Sequence, residues 1–154
     1  LDPAAVIAGA HWVVPPAAGA RIALAYQGPV APEAEAAFAV LRDEEPGAGL
    51  LAITSSDRLH AGWLDAMRAR RGGDRGAVSW VEKVLAPLAP GAAIVSVLDG
   101  HPATHAWLGS VRGQRVVPLG PDRFGQSGDI PDLYREYGLD TDAILDACAQ
   151  AMLG

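Results

Sequence analysis

Three short runs concentrate the residues able to do chemistry. They are Thr54-Ser55-Ser56-Asp57-Arg58, Asp99-Gly100-His101-Pro102, and the stretch Gly120-Pro121-Asp122-Arg123-Phe124-Gly125-Gln126-Ser127-Gly128. Each follows a short apolar run. Together they supply hydroxyls, carboxylates, guanidinium groups and an imidazole. In open α/β sheets, ligands bind outside the carboxyl ends of the strands. The first two runs lead into helix N-termini, whose free backbone N–H groups favour an anion. The plain alternative is that Ser55, Asp57 and Asp99 cap helices, the default use of those residue types. His101 beside Asp99 is the best polar pair, against the plain reading of a loop imidazole bonded to backbone.

Other chemistries find less support. His101 and His105 stand four apart and could share a helix face, but no third ligand has the right spacing and there is no His-Glu-x-x-His. No metal ligand is expected. Ser127, His101 and Asp99 could be assembled into a triad, yet Gly125-Gln126-Ser127-Gly128 is not the Gly-x-Ser-x-Gly of a strained nucleophile elbow. Gln27-Gly28-Pro29 carries neither a dinucleotide glycine fingerprint nor a P-loop. Trp12, Trp63, Trp80 and Trp107 are expected as core or interface anchors, and Cys148 as a small buried hydrophobe.

The elements that must position these runs alternate along the chain. Ile22–Tyr26, Leu50–Thr54, Ala93–Leu98 and Arg115–Leu119 are nearly continuous in apolar residues and bounded by Gly or Pro, which predicts strands covered on both faces. A further strand is expected near Trp12-Val13-Val14. Between them, helical spacing predicts helices over Ala31–Glu45, Asp57–Arg70 (capped by Ser56 or Asp57), Val78–Leu85, Pro102–Arg112, Asp132–Tyr137 and Thr141–Leu153, the last capped by Asp140. Arg70–Gly76 reads as a mobile surface loop. This order predicts an α/β domain with right-handed crossovers and a mostly parallel sheet.

The 154 residues suffice for one domain with a real core. Twelve Lys and Arg against 18 Asp and Glu leave a net charge of −6, which argues against a general nucleic-acid binder. No apolar run reaches the roughly 20 residues needed to span a bilayer. A single cysteine excludes an internal disulfide framework and fits a reducing compartment; the expected location is cytoplasmic. The chain begins at Leu1 and in mid-pattern, so it is expected to be a piece of a longer polypeptide, with residues 1–20 as an entry segment to one domain over 1–154.

Val117-Pro118-Leu119-Gly120-Pro121-Asp122-Arg123-Phe124-Gly125-Gln126-Ser127-Gly128, with Leu133-Tyr134 and Tyr137-Gly138-Leu139-Asp140 after it, resembles the C-terminal domain of the transketolase family. That family uses thiamine diphosphate. It includes transketolase, deoxyxylulose-phosphate synthase and the homodimeric decarboxylating component of the pyruvate dehydrogenase complex. Ile7-Ala8-Gly9-Ala10-His11-Trp12, Tyr26–Ala34, Thr54–Leu59 and Val97–Pro102 look most like the pyruvate dehydrogenase-type members. The resemblance covers nearly the whole chain and implies a three-layer α/β/α domain with a five-stranded, mostly parallel sheet, the last of three domains.

In that family the diphosphate and its magnesium lie on the first domain and the aminopyrimidine on the second, across a dimer interface. Their signature is a Gly-Asp-Gly followed by an Asn; this chain has no Asn and no Gly-Asp-Gly. No catalytic, cofactor-binding or metal-binding residue is therefore carried onto it. Thiamine diphosphate and magnesium are expected in the parent enzyme alone. The implied parent reaction is cleavage beside a carbonyl. In the pyruvate dehydrogenase branch a 2-oxo acid loses CO₂ and its acyl unit passes to a lipoyl group; the cofactor is the electron sink. This domain would support a homodimer and part of the substrate channel, and dock a lipoyl acyltransferase. Asp99, His101, Arg123, Phe124 and Ser127 are the candidate channel or interface contacts. The alternatives are transketolase proper, a stand-alone anion-binding regulatory module near Arg58 and Arg123, and a small hydrolase using Ser127. Neither nucleic acid nor membrane is an expected partner.

Overall fold

The computed structural model describes residues 2–123 and 128–154. Five strands form one sheet: β1 (Ala10–Val14), β2 (Ala20–Gln27), β3 (Gly49–Ile53), β4 (Leu88–Leu98) and β5 (Arg115–Leu119), in the order β1-β3-β2-β4-β5. The pairs β2–β3, β2–β4 and β4–β5 are parallel, and β1 runs antiparallel to β3 at one edge. The direction of β1 follows from its connection. Five residues, 15–19, join it to β2, and a parallel crossover needs a dozen or more. The expected entry segment is thus structured: it holds a helix, α1 (Pro3–Ala8), as well as this edge strand.

Register explains why the apolar runs are continuous. Leu24 stands between Leu50 and Val95, and Ala25 between Leu51 and Ser96. Ile22, Leu24, Leu50, Ala93, Val95 and Val97 point to one face, under α2 (Ala31–Glu44) and α8 (Thr141–Leu153). Ala23, Ala25, Leu51, Ile53 and Ile94 point to the other, under α3 (Ser56–Arg71) and α4 (Trp80–Leu85). Both faces are covered, so a strand needs apolar residues at consecutive positions. Each fully buried Leu, Ile or Val contributes about 1.5–3 kcal/mol relative to exposure.

The helices depart from expectation in three places. Ser55, as the plain reading allowed, caps α3 in place of Ser56 or Asp57: it keeps the extended conformation of the strand end and its Oγ accepts from the Arg58 N–H at 3.3 Å, while Ser56 is buried within the helix. The expected helix over Pro102–Arg112 is two single turns, α5 (Ala103–Ala106) and α6 (Gly109–Arg112). The backbone bonds that join the two turns span three residues, as in Leu108 N–H to His105 O and Val111 N–H to Leu108 O, the tighter 3₁₀ pattern. It turns both His105 and Leu108 into the core. The loop over 71–76 is exposed as expected, but its base is tied: Arg70 donates to the Ala77 carbonyl at 2.8 Å and pairs with Glu82 at 3.0 Å. Asp140 caps α8 as expected, accepting from the Ala143 N–H at 3.0 Å.

Candidate functional site at the carboxyl end of the sheet

Strands β2, β4 and β5 end side by side, and the loops that follow them meet. A Cβ on Gly120 would collide with the Gly100 carbonyl and with Pro102. Glycine therefore lets the loop after β5 lie directly against the loop after β4. Beyond β5 the chain re-enters the described region at Gly128 and forms α7 (Ile130–Glu136). Gly138, at φ +65, makes the left-handed turn after α7. The Leu139 N–H then reaches back to Tyr134 O at 2.7 Å and its side chain is fully buried.

This places α7 over the end of the sheet and encloses a cavity of about 180 Å³, walled by Pro29, Asp99, Ile130, Tyr134 and Tyr137 among others. Burial pushes the Tyr134 phenol above its ordinary value, and the negative charges of Asp99 and Glu33 push it further. Glu33 is held by the Thr141 hydroxyl, which donates to its Oε2 at 2.7 Å. Tyr26, at the end of β2, is raised in the same sense by burial and then by Glu35, to which its hydroxyl donates at 3.4 Å. The phenols thus stay protonated and serve as neutral hydrogen-bond donors beside carboxylates.

Of the candidate channel or interface contacts, Asp99 alone among the described ones lines this cavity. His101 is exposed, and its Nδ1 accepts from the Ala103 N–H at 3.2 Å instead of pairing with Asp99. Arg123 is exposed and pairs with its neighbour Asp122 at 3.5 Å. Phe124 and Ser127 lie outside the described residues. Arg58, invoked for an anion crevice, donates instead to the Ile7 carbonyl at 2.9 Å.

His105 does not share a face with His101. It is fully buried, with Nε2 2.9 Å from Gln27 Oε1, and burial pulls its imidazole down to about 4. Tyr134, Tyr137 and Gln27 stood in the motifs that carry the family resemblance but were not named as site residues. The available signal was their place beside strand ends or beside the motif at 117–128. The four tryptophans pack against the α3/α4 face as expected, Trp63 and Trp107 stacked with ring centres 5.5 Å apart.

A diphosphate with a divalent cation does not fit here. Among the described residues no group of three His, Cys, Asp or Glu side chains converges on a metal-sized site. The cavity at the sheet end presents Asp99, with Glu33 also close enough to act on Tyr134, and negative charge there repels a polyanion.

No protein-family model and no curated protein matches the chain. Solved structures do match it. The transketolase from Leishmania mexicana aligns with a TM-score of 0.65 and 17% identity, over 96% of this chain and 18% of that one. A transketolase from Pichia stipitis gives 0.61 and 19%, again over 96% and 18%. A split-gene transketolase described as an inactive β4 tetramer gives 0.61 and 16%, over 99% of this chain and 44% of that one. At these identities the likeness is one of fold. The chain has the fold of the transketolase C-terminal domain, as its motifs imply, and spans about a fifth of a full-length transketolase.

Proposed function

We propose that this chain is the non-catalytic C-terminal domain of a thiamine diphosphate-dependent enzyme of the transketolase kind. The observation that carries this reading is the alignment of 96% of the chain with a transketolase at a TM-score of 0.65. Thiamine diphosphate and magnesium belong on preceding domains of the same polypeptide, a placement supported by the negative charge of Asp99 at the sheet-end cavity. The domain then contributes packing in a homodimer and part of the wall of the substrate channel. Asp99, at the cavity edge, is the contact best supported by geometry; His101, Arg123, Phe124 and Ser127 are the other candidates. The lone, buried Cys148 suits a reducing cytoplasm.

For the parent reaction the sequence motifs over residues 7–12, 26–34, 54–59 and 97–102 favour a pyruvate dehydrogenase-type 2-oxo acid decarboxylation, with acyl transfer to a lipoyl acyltransferase. Ketol transfer is the second reading, favoured by the chain's alignment with solved transketolases. Titration calorimetry of this chain with thiamine diphosphate and Mg²⁺ should give no binding; tight binding would overturn the reading. Assays of the parent polypeptide separate the two reactions. CO₂ release from pyruvate supports decarboxylation, and turnover of a ketose phosphate without CO₂ release supports ketol transfer.

A further inference from the structure

Far from the carboxyl-end cavity, beside the edge strand β1, lies a second and larger cavity of about 330 Å³ between α1, β1 and α4. Its size falls within the range of small-molecule pockets. Its walls are mainly apolar and include two indoles, Trp12 and Trp80. Each ring is locked by its own N–H: Trp12 donates to the Val84 carbonyl at 3.1 Å and Trp80 to the Ala10 carbonyl at 2.9 Å. With their N–H groups spent, the rings offer the cavity only aromatic surface, suited to stacking or edge contact with another ring.

Three polar side chains share these walls. His11 is one, but its unpartnered Nδ1 is shut off from solvent and does not open onto the cavity. Lys83 and Asp2 both line the cavity, and among the described residues neither forms an ion pair. Asp2 Oδ1 accepts from the Ala4 N–H at 2.9 Å, leaving its second oxygen to other donors. The cavity thus offers one positive and one negative charge that are not joined to each other, and fixed aromatic walls. A ligand that satisfies all of them carries a ring, an ammonium and a carboxylate.

We propose that this cavity binds a free aromatic α-amino acid. The ring lies against Trp12 and Trp80, the ammonium toward Asp2, and the carboxylate toward Lys83. The site owes nothing to the thiamine-enzyme reading, because it uses none of the residues at the carboxyl end of the sheet. The test is a titration of the ¹⁵N-tryptophan-labelled chain with L-phenylalanine, following its four indole N–H resonances. The Trp12 and Trp80 signals should shift saturably while those of Trp63 and Trp107 stay in place. 3-Phenylpropionate, lacking the ammonium, and 2-phenylethylamine, lacking the carboxylate, should each bind about three- to fivefold more weakly, the scale of one exposed charge pair. Lys83→Gln should weaken L-phenylalanine by the same factor and leave 2-phenylethylamine unchanged; Asp2→Asn, which keeps the bond to Ala4, should do the converse with 3-phenylpropionate. No saturable shift, equal shifts of all four indoles, or equal affinity for the three probes would overturn the proposal.

Discussion

Under α2 and α8 the sheet buries Leu24, Phe38, Val95, Ile144 and the thiol of Cys148. Under α3 and α4 it buries Ile94, Leu51 and Leu85, but also His105 and Ser96, with Ser79 and Glu82 at the start of α4. Both layers exclude water from apolar surface to a similar degree. They differ in which ionisable groups were taken out of water. Burial pushes the Cys148 thiol from its ordinary value of 9 up to about 12, whereas it pulls His105 from 6.5 down to about 4. Each group is therefore held neutral, but from opposite directions. Burial alone would raise the Glu82 carboxyl. Its bonds from the Ser79 hydroxyl and N–H, and the Arg70 guanidinium, outweigh that and hold it below its ordinary value. One face should thus weaken in alkali and the other in acid, although their apolar packing is alike.

The largest effect tests the likeness. Ile144→Ala on α8 and Ile94→Ala under α4 should each cost about 2–5 kcal/mol in urea denaturation, as for large-to-small changes at fully buried sites. Each loss should be the same at pH 5 and pH 7. A much smaller cost on one face would mean that its layer is loosely packed, and the comparison would fail at its base.

The next effect tests the difference. Between pH 6.5 and about 4 the unfolded chain binds a proton at residue 105 that the folded chain does not. Stability should then fall as pH drops through that window, by up to about 3 kcal/mol, and His105→Gln should remove that part of the slope. Above pH 9 the folded chain keeps a proton on Cys148 that the unfolded chain releases, so stability should fall as pH rises toward 12. Cys148→Ala should flatten that limb without touching the acid one. Chemical denaturation across pH measures both, and an acid slope that survives His105→Gln would break the assignment.

The smallest effect sharpens the picture within one face. Ser79 and Glu82 form a reciprocal capping box at the start of α4. Ser79→Ala should cost about 1 kcal/mol and raise the Glu82 carboxyl toward its ordinary value. NMR titration of the Glu82 side chain would follow this, and an unmoved carboxyl would assign its shift to Arg70 and the backbone N–H of residue 79.

The strands were legible because a sheet covered on both faces demands consecutive apolar residues, and Ile22–Tyr26 or Ala93–Leu98 satisfy that demand without knowledge of their neighbours. The edge strand at Ala10–Val14 was visible only in outline, since five residues of mixed polarity carry a weak period. The split of Pro102–Arg112 was not legible, because Gly109 must sit against the Gln114 carbonyl and Val116 of the next strand, a contact no local pattern announces. At the candidate site, Asp99 was found from its place after a strand. Tyr134, 35 positions further on, was not, since only the return of α7 across the sheet end brings the two to one cavity. His105 shows the same limit in reverse, for its spacing from His101 suggested a shared helix face and the tightened turns gave the two residues opposite environments.

By itself the sequence determined the alternation of strands and helices, the two-sided burial of the sheet and the family whose fold it shares. The first two rest on periodicity and side-chain type, which act over a few residues, and the last on the resemblance of its motifs. The tertiary structure alone decided which titratable groups lost their water and which charges came to share a cavity, because solvation and Coulomb interactions depend on distances between residues far apart in the chain.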